Sequence, residues 1–294
     1  MNANSDGRFE RQMRLFGEAG QARIGTARVV VVGDGGLGTH VVQQLCLLGV
    51  KRLGLVDAQG VKRSSRNRYV GLRYDDLIPG TLKVDVCERV AHAIDPAIEV
   101  EKVADTLVSE KAFAAVIRAD YVFGCFDNEG TRVILTELCA AYAKPYFDLA
   151  SDVMPGERPH YGGRVCVAWD GNGCLACMGV LDLQEARAQL AGPEAREDEE
   201  TIYGVNRKLL GETGPSVVSI NGAVASIAVT EFMAAVTGMR RPFRLLNYYA
   251  HLGRMTSSGD EPAPDCYYCK EIRGMREGAE VERYIAAGVG AWLR

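Results

Sequence analysis

Two cysteine pairs, Cys174-Leu175-Ala176-Cys177 and Cys266-Tyr267-Tyr268-Cys269, set the strongest constraint on how this chain can fold. Each C-x-x-C is a tight knuckle, and two knuckles complete a closed tetrahedral thiolate set, the usual form of structural zinc. The competing reading is a pair of independent redox motifs. On the zinc reading, about ninety residues are looped out between the knuckles, and the middle of the chain is tied to its C-terminal part. Nine cysteines is an odd number, and the five outside the knuckles are scattered through apolar runs. That pattern suits a reduced, cytoplasmic interior rather than a secreted disulfide framework.

Upstream, Arg28-Val29-Val30-Val31-Val32 predicts a strand running into Gly33-Asp34-Gly35-Gly36-Leu37-Gly38, with a helix over 38–48. Further strands at 52–56, 97–103, 120–124 and 145–149 alternate with helices at 81–94, 109–118 and 128–143. Such alternation predicts an α/β, Rossmann-like, mainly parallel sheet with helices on both faces. A charged amphipathic segment at 8–21 precedes it. The second half reads as a mixed sheet, with strands at 162–169, 243–249 and 252–256 and helices at 181–190 and 215–236. No linker or repeat divides the chain. The expectation is one domain over 1–294: an arm (1–25), a nucleotide-binding half (26–150) and a half (151–294) holding the zinc clamp and an acidic, exposed crossover loop at 192–215.

With 47% apolar residues the chain can bury a sizeable core without disulfides. A net charge of −4 argues against general nucleic-acid binding, which needs a basic face. Residues 1–7 carry no apolar signal region. The apolar stretch 215–236 contains Asn221, Gly222 and Glu231, and reads as a buried helix rather than a membrane span.

A glycine loop between strand and helix lets phosphate oxygens approach the backbone and the helix N-terminus. Gly33, Gly35, Gly36 and Gly38 are therefore candidate nucleotide contacts, and Asp57, ending the next strand, can accept from ribose hydroxyls. This much fits a dehydrogenase equally well. The basic run Val61-Lys62-Arg63-Ser64-Ser65-Arg66-Asn67-Arg68-Tyr69, followed by Lys83 at a helix start, favours a triphosphate, whose charge needs more cations than one pyrophosphate does. Arg68 and Lys83 are the chosen pair; Lys62, Arg63 and Arg73 are assigned to the surface. Asp127, after the strand ending near Gly124, is placed to hold a metal ion on phosphates, or else to cap the helix starting near Asn128.

These pieces, in this order from Arg8-Phe9-Glu10-Arg11-Gln12 to Cys269, resemble the ThiF/MoeB/HesA family, relatives of the adenylation half of ubiquitin-activating enzymes. The matching motifs are the arginine-bearing arm, the glycine loop, Leu55-Val56-Asp57, Ser64 to Arg68, Gly80 to Lys83, Asp127-Asn128 and both cysteine pairs. The resemblance implies ATP-dependent adenylation of the C-terminal glycine carboxylate of a ubiquitin-like or sulfur-carrier protein, with release of pyrophosphate. It implies that Asp57 holds ribose, that Asn67, Arg68 and Lys83 contact phosphates, and that Asp127 binds magnesium. It also implies a homodimer in which Arg11 reaches the partner's site, and a conjugating enzyme or sulfur donor as the acyl acceptor. The segments around 174–179 and 215–222 also look like bacterial ThiF-type proteins, some encoded beside ubiquitin-like modification systems linked to antiviral defence.

The chain departs from the family at Gln59, where a second acid is common, and at Ser64-Ser65, where Ser-Asn is common. Members that form a thioester often carry a cysteine in the crossover loop; 192–215 has none. Cys46, Cys87, Cys139 and Cys166 read as core, and Cys125 as an apolar-strand residue rather than a nucleophile. The expectation is adenylation without a covalent enzyme intermediate. The competing functions are adenylation of a peptide or other small carboxylate, and a nucleotide-binding interaction module without catalysis.

Overall fold

The computed structural model describes residues 7–154, 156–191, 215–259 and 261–293. Most of the expected crossover loop, and its acidic run, lies outside the described residues. An N-terminal helix, α1 (Glu10–Thr26), kinks at Gly17 and leads into β1 (Arg28–Val32). Then follow α2 (Gly36–Leu48), β2 (Arg52–Val56), α3 (Lys83–Ile94), β3 (Glu99–Val103), α4 (Glu110–Arg118), β4 (Tyr121–Gly124) and α5 (Glu129–Ala141). The second half contributes β5 (Tyr146–Met154), β6 (His160–Ala168), α6 (Leu183–Leu190), α7 (Val218–Thr237), β7 (Leu245–Tyr249), β8 (Arg254–Ser257) and a short α8 (Arg283–Ala286).

The strands form one eight-stranded sheet in the order β3-β2-β1-β4-β5-β6-β7-β8. The first five run parallel, and β6, β7 and β8 continue antiparallel. The valine run of β1 follows from this position. Val29 and Val31 face one core with α2, α3 and α7, while Val30 and Val32 face another with α4 and α5. A strand covered on both faces has no solvent side and therefore no polar alternation. Each fully buried valine contributes about 1.5–3 kcal/mol. On the α7 face, Phe123 stacks on Phe147 at 4.9 Å and Phe232 meets both edge-on.

The expected strand at 145–149 extends to Met154, because β6 pairs with it along its whole length, from Tyr146 opposite Ala168 to Met154 opposite His160. The last strand starts later than expected, since 250–252 forms a 3-10 turn. Helix α7 has the length and mean hydropathy (1.4) of a membrane span, yet 61% of that window is buried inside the protein, as expected for a core helix.

Candidate active site

The strand order reverses between β1 and β4, and a crevice opens there at the carboxyl ends of the parallel strands. It is a cleft of about 790 Å³. Gly33 ends β1 with φ +93°, and a Cβ there would come within 2.7 Å of the Cys125 carbonyl oxygen. Only glycine lets the two strand ends lie this close. Gly35 and Gly36 line the cleft; Gly38 does not, because it packs beneath the loop against the Gly33 carbonyl. From the opposite side, the Asn221 amide of α7 reaches to within 2.5 Å of where a Cβ on Gly36 would stand. Its Nδ2 donates to Ser216 Oγ (3.1 Å), while its buried Oδ1 has no partner.

Asp57 closes β2 with both oxygens in use. Oδ2 accepts from the Asp34 amide (2.9 Å) and from Lys83 Nζ (3.1 Å), and Oδ1 accepts from the Gln59 amide (2.8 Å). Lys83, first residue of α3, also donates to Gln59 Oε1 at 2.8 Å. Gln59, in place of a second acid, thus serves as a neutral acceptor for the lysine. Burial pulls the Lys83 ammonium down, but Asp57, together with Tyr69 and Asp34, outweighs it and the net shift is upward.

Arg68 follows a 3-10 turn (Arg63–Asn67) and donates to the Ser64 carbonyl and to Asn67 Oδ1 (3.0 Å). Arg68 and Ser64 line the cleft, whereas Asn67 is exposed beside it and holds Arg68. Lys62, assigned to the surface from sequence, is exposed but also lines the cleft, because the turn brings it to the rim. Asp127 is exposed at the end of the β4–α5 connection and lines the cleft. It is not the helix cap. Asn128 is: its Oδ1 accepts from the Thr131 amide at 2.9 Å, which leaves the Asp127 carboxylate uncommitted to the helix. Arg11 is exposed on α1 and lines no part of the cleft among the described residues.

Sequence reasoning missed a buried ionic cluster in the wall. The Asp148 carboxylate, fully buried, accepts from Arg132 Nε (2.8 Å), Arg164 Nη1 (2.5 Å) and Tyr146 OH (2.9 Å). Burial pushes its carboxyl up, yet Arg132 and Arg164 outweigh this and hold it below the usual range. Both arginines line the cleft; Arg132 also pairs with Glu129 and donates to the Phe126 carbonyl at 2.8 Å. A lone aspartate inside the apolar run Tyr146-Phe147-Asp148-Leu149 was a readable signal, because a buried charge needs partners. Arg164 was not readable, since strand pairing alone brings it opposite Ala150. Asp34, inside the glycine loop, was also missed. It is fully buried, neither side-chain oxygen has a partner, and burial, then the Asp57 charge, push its carboxyl well up. Past Ala150 and Asp152, the cleft continues over the antiparallel strands to His160, Asn247 and Tyr249.

The four knuckle cysteines converge, with all four sulfurs within 4.8 Å of one another. Neighbouring Sγ separations are 3.5 to 3.8 Å. A tetrahedron with Zn–S of about 2.3 Å has edges of about 3.8 Å, so the set fits zinc and leaves no ligand position for water. Two independent redox motifs would not meet in this way. Cys125 is buried and its thiol is pushed well up by burial, which is unfavourable for a nucleophile. None of the nine cysteines is in a disulfide.

A profile described as ThiF family matches residues 9–267. Among curated relatives, the bovine (Bos taurus) "Adenylyltransferase and sulfurtransferase MOCS3" is 34% identical over 163 residues, covering 54% of this chain and 35% of that protein. "Protein HesA, heterocyst" of Trichormus variabilis is 33% identical over 196 residues, covering 60% and 73%. The "Sulfur carrier protein adenylyltransferase" of Thermus thermophilus is 36% identical over 140 residues, covering 47% and 51%. The chain thus spans about a third of the bovine protein's length. Among solved structures, E. coli MccB with selenomethionine MccA superposes with a TM-score of 0.70 at 19% identity, covering 91% of this chain and 75% of that one. At that identity the likeness is one of fold.

Proposed function

The chain belongs to the ThiF family, and from that premise we propose that it is an ATP-dependent adenylyltransferase. Its substrate is the C-terminal glycine carboxylate of a small ubiquitin-like or sulfur-carrier protein. The observation that carries this reading is the convergence of Asp57, Arg68, Lys83 and Asp127 on one cleft beside the glycine loop. A carboxylate oxygen attacks the α-phosphorus, the bond to the bridging oxygen breaks, and pyrophosphate leaves with both electrons of that bond. The product is an acyl-adenylate. Both reactants are anions, so most of the barrier is repulsion and orientation, and fixed cations lower it.

Asp57 takes the ribose hydroxyls. Once it does, the Lys83 ammonium is free to turn from the carboxylate to a phosphate. Arg68, held by Asn67, carries a second positive charge to the phosphates. Asp127 would hold magnesium, which neutralises phosphate charge when bound. The four cysteines would hold a structural zinc, which ties the second half together. The run of the cleft over β5, β6 and β7 suits an extended chain end. Arg11 serves the site of a partner subunit in a homodimer. The buried thiols favour transfer of the acyl group directly to a partner's nucleophile, on a conjugating enzyme or sulfur donor. Nine unpaired cysteines suit a reducing, cytoplasmic setting.

The test is ATP–pyrophosphate exchange with a panel of small proteins ending in glycine and a parallel panel of short peptides. Exchange with the proteins alone supports the carrier reading; exchange with the peptides alone replaces it. Lys83→Ala and Asp127→Ala should each reduce exchange by about 10²–10³-fold while the melting profile is retained. Nucleotide binding without exchange for any carboxylate would leave a non-catalytic module.

A further inference from the structure

The carboxylate assigned to the metal, Asp127, stands on a loop that is gripped from behind. Arg132 Nη2 donates to the Phe126 carbonyl at 2.8 Å, and that oxygen belongs to the peptide joining Phe126 to Asp127. The Nη1 of Arg132 pairs with Glu129 Oε1, and its Nε with Asp148. Glu129 lines the cleft too, but both its oxygens are taken, because Oε2 accepts from the Asp182 amide at 3.1 Å. Asp182 caps α6, accepting from the Gln184 and Glu185 amides (3.1 and 2.9 Å), and α6 packs against α5. Near the other end of α6, Gln189 Oε1 accepts from the Gly130 amide at 2.7 Å, and a Cβ on Gly130 would stand 3.3 Å from Gln189 Cβ. The stretch from Cys177 to Asp182 is an arm leaving the first cysteine knuckle. Its Val180 carbonyl accepts from Arg164 Nη2 (3.2 Å), and Arg164 is the other arginine on Asp148. The arm therefore reaches Arg132 by two routes, through Glu129 and through Arg164 and Asp148. The Asp127 carboxylate itself takes no part in this frame.

A carboxylate binds a cation better when its backbone is already fixed, because less freedom is lost on binding. Resting on the reading of Asp127 as the magnesium ligand, we propose that Glu129 is a positioning residue for the metal. It sets Arg132 against the Phe126–Asp127 peptide and ties that peptide to the arm of the first knuckle, so that Asp127 meets magnesium from a rigid mount. Glu129 does this two residues away from the ligand and without touching the cation. The zinc clamp and the metal side of the cleft are then one continuous frame.

The readout is the advantage that magnesium gives to nucleotide binding. Dissociation constants for ATP are measured by calorimetry in excess Mg2+ and in EDTA, and their ratio sets aside effects common to both forms of the nucleotide. The proteins are wild type, Glu129→Ala, Glu129→Gln, Asp127→Asn and the double variant Glu129→Ala with Asp127→Asn. Removing a group that orients a metal ligand costs about tenfold in metal affinity. Glu129→Ala should shrink the magnesium advantage by that factor. Glu129→Gln keeps the volume and an acceptor for the Asp182 amide but loses the ion pair with Arg132, and should show part of the loss. In the Asp127→Asn background, Glu129→Ala should change the ratio no further, because the residue acts through Asp127. An unchanged ratio in both Glu129 variants, even with a lowered melting temperature, overturns the proposal and leaves the reading of Asp127 standing. So does a full additional loss in the double variant. An Asp127→Asn ratio equal to that of wild type overturns the reading of Asp127 and the proposal with it.

Discussion

Replacing Asp148 by asparagine keeps the volume of the side chain and removes its charge, which makes it a clean probe of the ionic cluster in the cleft wall. In the native protein the carboxylate is fully buried and the Arg132 side chain is 4% exposed. The variant leaves Arg164 facing a neutral amide and Arg132 with Glu129 as its remaining carboxylate. Breaking a buried pair by removing one partner costs about 3–5 kcal/mol, because the remaining charge is desolvated and uncompensated. At roughly 2–4 °C per kcal/mol for a large domain, the melting temperature should fall by about 6–20 °C at pH 7. The pH dependence has a definite sign. The folded carboxyl lies below its ordinary value, so its stabilisation is complete above the unfolded value of about 3.9 and is lost as pH falls through the folded one. The gap between wild type and Asp148→Asn should therefore be constant from neutral pH to about pH 5 and close in stronger acid. Thermal and urea unfolding across that range measure it. A variant melting within about 2 °C of wild type at pH 7 would show that the arginines are solvated from the cleft and that the cluster is not structural.

Metal analysis should find one zinc per chain, and Cys266→Ser or a strong chelator should lower the melting point and loosen the segment after the second knuckle; a metal-free protein of unchanged stability would refute the clamp. Asp34 has the opposite linkage from Asp148: with a raised folded value it makes stability fall as pH rises above about 4, by up to about 1.4 kcal/mol per pH unit. Asp34→Ala should remove that slope in denaturation experiments, and an unaltered slope would assign it elsewhere. Arg11→Ala and Arg68→Ala proteins, each inactive in exchange, should regain activity on mixing, because a mixed dimer holds one site with both arginines. No recovery despite demonstrated subunit exchange would remove the cross-subunit role.

The parallel half of the fold was legible because its strands are covered on both faces and its turns carry specialised residues. The valine run, the glycine loop and Asp57 each have a local signature that needs no tertiary information. The cysteine knuckles were legible for the same reason: the spacing within each pair is itself the ligand geometry. The antiparallel half was less so. Nothing local tells the strand after Lys144 to continue through Met154; its partner β6 does, by pairing along its full length. Arg164 enters the wall only through that pairing. Lys62 is exposed, as the sequence reading had it, and stands at the rim of the cleft just before a 3-10 turn that composition does not announce. Residues whose role depends on a partner strand or a returning segment leave no periodicity to read.

The charge balance of the cleft bears on the proposed supply of a cation from outside it. Lys62, Arg68, Lys83, Arg132 and Arg164 line it, against Asp57, Asp105, Asp127, Glu129 and Asp152. Five cations meet five carboxylates, so the described cleft offers a triphosphate no net positive charge. The pairing is uneven as well. Lys83 is tied to Asp57, and Arg132 and Arg164 are tied to Asp148 beneath the surface. Arg68 is held instead by a carbonyl and an amide oxygen, which position it without neutralising it. A triphosphate would thus find full charge at Lys62 and Arg68, which no carboxylate pairs among the described residues, and at Lys83 only after its ribose has engaged Asp57. Under the proposed function, a metal at Asp127 and an arginine from a second subunit supply what the single chain does not. Binding of the ribose, release of Lys83 and arrival of Arg11 become linked events, with the balanced cleft kept from holding phosphates indiscriminately.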